Sequence, residues 1–204
     1  MKHLFEIEKP AQKLAYSPFQ RKLHNKQLLW CGTRHTSALA NMREGLRVHS
    51  AEAPTAGLMF GKGIYLSDAF SKAISQCHLN TKSTEPKLGL VFLAEAALGE
   101  MHRAYQPEQF PGAPAFSHSV YGVGKYKPCK TGLKDMNNKD NNYELSESQK
   151  ATDCVLFNTG RLKQNQDLKE DPENSKVLNY NEFVVYDNAQ VKLRYAVLCE
   201  FEFQ

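Results

Sequence analysis

The clearest periodic signal along the chain lies near its C-terminus. In "VKLRYAVLCEFEF", Val191, Leu193, Tyr195, Val197, Cys199, Phe201 and Phe203 alternate with Lys192, Arg194, Ala196, Leu198, Glu200 and Glu202. A period of two with one apolar face predicts a strand, with Cys199 as part of its buried stripe. Upstream, "EFVVY" predicts a second strand, and the short link "DNAQ" predicts that the two form an antiparallel hairpin. "LGLVFLAEAALGEM" is almost continuously apolar and predicts a central strand that crosses the core, while "QLLWC" predicts a shorter buried one. In "HTSALANMREG", Ala38, Leu39 and Met42 recur at helical spacing and Gly45 stands where a helix C-terminus favours glycine, which predicts a short helix. A strand beginning near Tyr65 leads to a helix from about Ala69 to Cys77, which Ser67 or Asp68 can cap through a side-chain oxygen. Residues 1–27 predict only a lead-in, because Pro10 and Pro18 interrupt any long helix. Together these elements predict an α+β domain with an antiparallel β-sheet core and short flanking helices.

Between Tyr105 and Lys176 the pattern weakens. "KDMNNKDNNYELSESQK" and "QNQDLKEDPENSK" carry few apolar anchors and predict loops or mobile insertions. With 204 residues, one hydrophobic core is the natural arrangement, and 41% hydrophobic with 24% charged residues excludes disordered and fibrous classes. No run of about 18 apolar residues exists, and "MKHLFEIEKPAQK" lacks the apolar segment of a secretory signal, so no membrane association is expected. Cys31, Cys77, Cys129, Cys154 and Cys199 are widely spaced and odd in number, which points to a reducing, intracellular compartment. Cys77 and His78 form the sole close pair of soft ligands, yet neighbours on a helix or strand diverge, so no metal site is expected. The net charge of +4 is concentrated at the start: the first 34 residues carry +5 and the remainder −1. A solvated basic face explains this without a nucleic-acid motif.

The glycines of "GLMFGKGIY" suit a loop that approaches a ligand closely, but they match neither a phosphate-binding P-loop nor a dinucleotide fingerprint. The ordered set "LLWCGTR", "GLRVHSAEAPTAGLMFGKGIYLSD", "LGEM", "HSVYGVGKYKP" and "YNEFVVYDNAQVKLRY" resembles the catalytic domain of poly(ADP-ribose) polymerases, the diphtheria-toxin-like branch of ADP-ribosyltransferases. The likeness runs from about Phe5 to Phe203. It implies the ADP-ribosyltransferase fold, NAD as co-substrate, and transfer of ADP-ribose to a protein or nucleic-acid acceptor with release of nicotinamide. It further implies one catalytic domain over residues 1–204; because about 27 residues precede the first motif, no helical regulatory domain is expected, and a monomer is.

On residues, the resemblance implies the following. The first motif's histidine and glycine fall on Cys31 and Gly32, followed by Thr33; the glycine backbone would hold the nicotinamide carboxamide. Tyr65 would line and support the nicotinamide pocket. Arg47 to Gly57 would form the loop over NAD, with Arg47 near the pyrophosphate or adenosine end, and Gly63 would be a further cofactor-binding position. Met59 and Lys72 match positions near the acceptor or nicotinamide. Glu182 falls on the catalytic glutamate, whose carboxylate would polarise the ribose 2′-hydroxyl and stabilise positive charge as the bond to nicotinamide breaks.

Several positions depart from the family pattern. Cys31 replaces the histidine, Ala73 replaces a serine that bonds the nicotinamide amide, Gln76 replaces a tyrosine that stacks on the ring, and Leu58 replaces an aromatic residue. A thiol is a weaker hydrogen-bonding group than imidazole, and alanine provides no side-chain hydrogen bond. Two functions therefore stand side by side: an NAD-dependent transferase acting through Glu182 and Tyr65, and a non-catalytic binding or interaction module. NAD hydrolysis, with water as acceptor, is a third. A cysteine hydrolase built on Cys31 would need an imidazole within about 3 Å. The sequence pairs none with it, although His35 is near in the chain.

Overall fold

The computed structural model describes residues 1–50, 52, 57–79, 87–137, 154–165 and 178–202. Among the described residues, twelve strands and three α-helices follow one another: β1 (His3–Glu6), α1 (Pro10–Lys22), β2 (Lys26–Gly32), α2 (His35–Glu44), β3 (Ile64–Leu66), α3 (Phe70–Gln76), β4 (Lys87–Ala97), β5 (Met101–Ala104), β6 (Ser119–Gly122), β7 (Tyr126–Pro128), β8 (Leu133–Asp135), β9 (Val155–Asn158), β10 (Leu162–Gln164), β11 (Glu182–Val185) and β12 (Val191–Phe201). This is the α+β architecture expected of the ADP-ribosyltransferase fold. Six strands form one sheet in the order β1-β12-β4-β2-β9-β8, and four form another in the order β3-β11-β6-β5. Pairing is mostly antiparallel, with β2–β9 and β5–β6 parallel.

β4 is central, as its unbroken apolar run predicts, and is flanked along its length by β12 and β2. Alternation along β4 sends Phe92, Ala94 and Ala96 into the core between the sheets, where they meet Leu29 and Cys31 of β2, Ile64 and Leu66 of β3, and Phe183 and Val185 of β11. Leu93 faces the other way, with Leu28, Val155, Val197 and Cys199. The sheets are joined at one end by a reciprocal pair of backbone hydrogen bonds between Trp30 and Ser67, at 2.8 and 2.9 Å. That bridge aligns the end of β2 with the end of β3.

Three expectations are corrected. The stripe on β12 is interrupted by an irregularity between Leu193 and Tyr195. One inserted residue reverses the facing of all that follow. Val191 and Leu193 thus join Ala196 in the inter-sheet core, whereas Tyr195, Val197, Cys199 and Phe201 pack on the opposite face. Phe203 lies outside the described residues. Second, β11 and β12 do not form a hairpin. A 3-10 turn at Asn188–Gln190 carries the chain from one sheet to the other, held by Gln190 Nε2 donating to the carbonyls of Ala97 and His118, each at 2.8 Å. Third, residues 10–22 form one helix despite Pro18. Pro10 occupies a first-turn position where a missing N–H is tolerated. Tyr16 and Leu23 dock against Ala97, and the Lys192 ammonium lies 4.7 Å from the Tyr16 ring centre, so tertiary packing holds a helix that Pro18 weakens.

The helix predicted after His35 forms, and Gly45 ends it at φ +90°, beyond ready reach of L side chains. Of the two polar tracts, residues 138–153 and 166–177 lie outside the described residues. The described beginning of the first tract contributes Asp135 to β8, and that of the second contributes Gln164 to β10. No helix among the described residues is long and apolar enough to cross a membrane.

Candidate functional site

Glu182 opens β11 and is 4% exposed. An isolated carboxylate at that burial loses much of its hydration, so it needs a cation or several donors. Lys72 on α3 supplies the cation: its ammonium forms an ion pair with Glu182 Oε1. Gly122 lies opposite Glu182 in the β6–β11 register, and Val184 pairs with Tyr65 on the other side of β11. Residues two apart share a sheet face, so Glu182, Val184 and Tyr65 lie on the same side.

Tyr65 supports the glycine loop from below. Its hydroxyl accepts from the Phe60 amide at 2.9 Å and donates to the Gly61 carbonyl at 2.8 Å, while the Tyr186 hydroxyl donates to the Phe60 carbonyl at 2.7 Å. Burial pushes the Tyr65 hydroxyl up to about 12, and the Glu182 charge acts in the same direction, so Tyr65 remains a neutral donor at neutral pH. Gly63 packs on β11: a side chain there would meet Val184 Cγ1 at 2.3 Å.

α3 links Glu182 to the end of β2. Ala73 and Gln76, one helical turn apart, face Gly32, while Lys72 reaches Glu182. A Cβ at Gly32 would lie 1.8 Å from the Ala73 carbonyl oxygen and 2.8 Å from Gln76 Cβ, so glycine alone permits this approach of helix and strand. The Gly32 amide donates to Gln76 Oε1 at 3.2 Å. The Gly32 carbonyl lies 3.7 Å from Cys31 Sγ, which donates to it. Ala73 is fully buried and presents a methyl group.

Cys31 belongs to the inter-sheet core. Burial pushes its thiol up to about 12, the neighbouring Cys77 adding to the effect, which keeps it protonated at neutral pH. His35 does not pair with it; the imidazole Nε2 instead lies 2.6 Å from the Leu88 carbonyl. These facts exclude an activated Cys31–His35 nucleophile in this arrangement. Thr33 is likewise engaged locally: Asn41 Nδ2 donates to its hydroxyl at 2.9 Å, and the hydroxyl donates to the Arg34 carbonyl at 3.3 Å.

Arg47 is not gathered with this group. Its guanidinium pairs with Glu44, three residues earlier at the end of α2, at 3.1 Å, with the side chain 65% exposed. Arg47 lines a cleft with Gln12, Asp187 and Asn188. Of the loop beyond it, residues 51 and 53–56 lie outside the described residues, while Gly57 has φ +84° and open space around its Cβ position. Met59, like Tyr65, packs against the buried cluster that includes Phe60, and Gln109 Nε2 donates to the Leu58 carbonyl.

Two positions escaped the sequence reading. His49 lies 2.9 Å from the Gly63 carbonyl through Nδ1 and meets the Tyr65 ring edge-on at 6.3 Å between centres; nothing in its local sequence marks it. Asn181, adjacent to Glu182 in "YNEFVV", anchors the start of β11. It donates to Asp68 Oδ2 at 2.8 Å, accepts from the Gly124 amide at 2.9 Å, and its carbonyl accepts from Ser67 Oγ at 2.7 Å. Ser67 and Asp68 therefore tie α3's approach to β11 rather than cap the helix, which has no side-chain cap. Burial pushes the Asp68 carboxyl up to about 7 although the Asn181 bond opposes this. Among the described residues, no group of three or more His, Cys, Asp or Glu side chains is disposed to hold a metal. A carboxylate buried beside a lysine and a neutral tyrosine is suited to accept a hydrogen bond from a hydroxyl and to stabilise nearby positive charge.

The family model described as the poly(ADP-ribose) polymerase catalytic domain matches residues 1–163. Poly(ADP-ribose) polymerase 1 of Xenopus laevis is 35% identical over 201 residues, covering 98% of this chain and 18% of the relative. That of Gallus gallus is 34% identical over 201 residues, covering 98% of this chain and 17% of the relative. Poly(ADP-ribose) polymerase 2 of Homo sapiens is 34% identical over 202 residues, covering 98% of this chain and 30% of the relative. The chain thus spans less than a third of the length of each of these relatives. With most of its length matched by the family model, and with Gly32, Tyr65 and Glu182 set on strands of two bridged sheets, the chain belongs to the poly(ADP-ribose) polymerase catalytic-domain family.

Proposed function

We propose that this chain transfers ADP-ribose from NAD to a protein or nucleic-acid acceptor, releasing nicotinamide. The observation that carries this reading is the buried Glu182 carboxylate held by Lys72 beside Tyr65. NAD, when bound, supplies a ribosyl group carrying nicotinamide as the leaving group. Glu182 accepts a hydrogen bond from the ribose 2′-hydroxyl and offsets the positive charge that grows on the sugar. Lys72 keeps that carboxylate fixed, and Tyr65 holds the loop through Phe60 and Gly61. Gly32 is the contact for the ring carboxamide.

The chain is tested by incubation with labelled NAD, with and without candidate acceptors, alongside calorimetry of NAD binding. The expected result is labelled acceptor and free nicotinamide from the wild type, lost in Glu182→Gln. Absence of product from both the wild type and Cys31→His, together with no NAD binding, overturns the proposal.

A second reading is a non-catalytic binding module. It is favoured by Cys31, whose thiol is engaged with the Gly32 carbonyl and presents no imidazole to a ligand, and by the methyl of Ala73. Binding of ADP-ribose without nicotinamide release from NAD is the result this reading expects.

A further inference from the structure

Both main-chain polar groups of Gly32 are engaged by the protein's own side chains. The amide donates to Gln76 Oε1 at 3.2 Å, and the carbonyl accepts from Cys31 Sγ at 3.7 Å. The donor at Gly32 fixes the orientation of the Gln76 amide: its oxygen must face the N–H, since its NH2 group would oppose another donor. A primary carboxamide on a ligand presents the same pair of groups, an acceptor oxygen and an NH2 donor. Gln76 supplies that carboxamide from within, on a helix pressed so tightly against β2 that a Cβ at Gly32 would meet the Ala73 carbonyl at 1.8 Å. We infer that Gln76 is a specificity-determining residue, a built-in carboxamide that occupies the Gly32 contact and must be displaced by any aromatic carboxamide, that of NAD included, so that such ligands bind more weakly than an open contact would allow. The inference rests on the reading of Gly32 as the carboxamide contact.

A ligand carboxamide must first break the Gly32–Gln76 hydrogen bond. The net worth of one such bond lowers affinity about 3- to 10-fold. The ligand class affected is planar aromatic carboxamides, represented by nicotinamide and benzamide. Ligands without that group escape the competition.

The test follows the Gly32 amide resonance of the full chain by NMR while benzamide is added, in the wild type, Gln76→Ala and Gln76→Met. Methionine retains side-chain length and removes the acceptor, and retained signal dispersion and melting temperature establish folding of each variant. In the wild type, the Gly32 resonance is expected to stay near its starting position until high benzamide concentration. In both variants it should move at concentrations about 3- to 10-fold lower. Equal affinity across all three proteins, with the Gly32 resonance moving alike, overturns the inference, as does a gain in Gln76→Ala alone. Restored carboxamide binding without turnover of labelled NAD in any variant supports this inference while overturning the transferase reading.

Discussion

Removing the Lys72 ammonium tests whether the site is organised around a buried charge pair. The Glu182 side chain is 6% exposed and that of Lys72 is 27% exposed. Deleting one member of a buried pair typically costs about 3 to 5 kcal/mol, because the remaining charge has neither partner nor water. Partial exposure of Lys72 admits some solvent into the space it vacates, which brings the expected cost of Lys72→Met to about 2 to 3 kcal/mol. For a domain of this size that lowers the melting temperature by about 5 to 10 °C. Glu182→Gln should cost only about 1 kcal/mol, since the lysine it leaves behind hydrates more easily. The double variant Lys72→Met/Glu182→Gln should recover most of the Lys72→Met loss, leaving a coupling of at least about 1.5 kcal/mol. Urea denaturation of the four proteins measures this cycle. A coupling below about 0.5 kcal/mol would refute the reasoning, because independent sites add within that margin.

Two further outcomes follow from shifted ionisations. The Asp68 carboxyl is raised from the ordinary carboxylate range to about 7 by burial, so the folded state binds its proton more tightly than the unfolded state. Its contribution is full below about pH 4 and is lost as pH rises to about 7; Asp68→Asn should flatten this part of the stability profile relative to wild type in melts across that range, and identical slopes would count against it. Among cysteines, Cys31 is buried with its thiol raised to about 12, whereas the hydrogen bond shared with Thr131, at 3.0 Å, lowers the Cys129 thiol below its usual value. Limited alkylation of the native protein followed by peptide mass spectrometry should therefore label Cys129 before Cys31, and the reverse order would contradict the described burial.

Much of the local structure was legible from residue order. The apolar run around Val91 to Ala97 marked β4 as central, and Ala38, Leu39, Met42 and Gly45 marked α2 and its end. Such patterns report which face of a segment avoids water, and they are read over a few neighbouring residues. The motif order named Gly32, Tyr65 and Glu182 as candidate site positions. The irregularity after Leu193 was hidden because the alternation on both sides of it remains regular in sequence while its facing changes in space. The separation of β11 from β12 was hidden for a related reason: strand pairing is a long-range choice, here made by the buried contacts of Gln190.

The candidate site shows the same division at the level of chemistry. By itself, the sequence determined that Cys31, Ala73 and Gln76 differ from the family pattern, and hence which side-chain hydrogen bonds are available. Only the tertiary structure decided what those groups do. Lys72 and Glu182 are 110 positions apart and become an ion pair because α3 crosses toward the start of β11. Gln76 and Gly32 become hydrogen-bonded because glycine lets the same helix approach β2. Hydrogen bonds and buried charges depend on distance and solvent exclusion, and both quantities arise only when separated segments of the chain pack together.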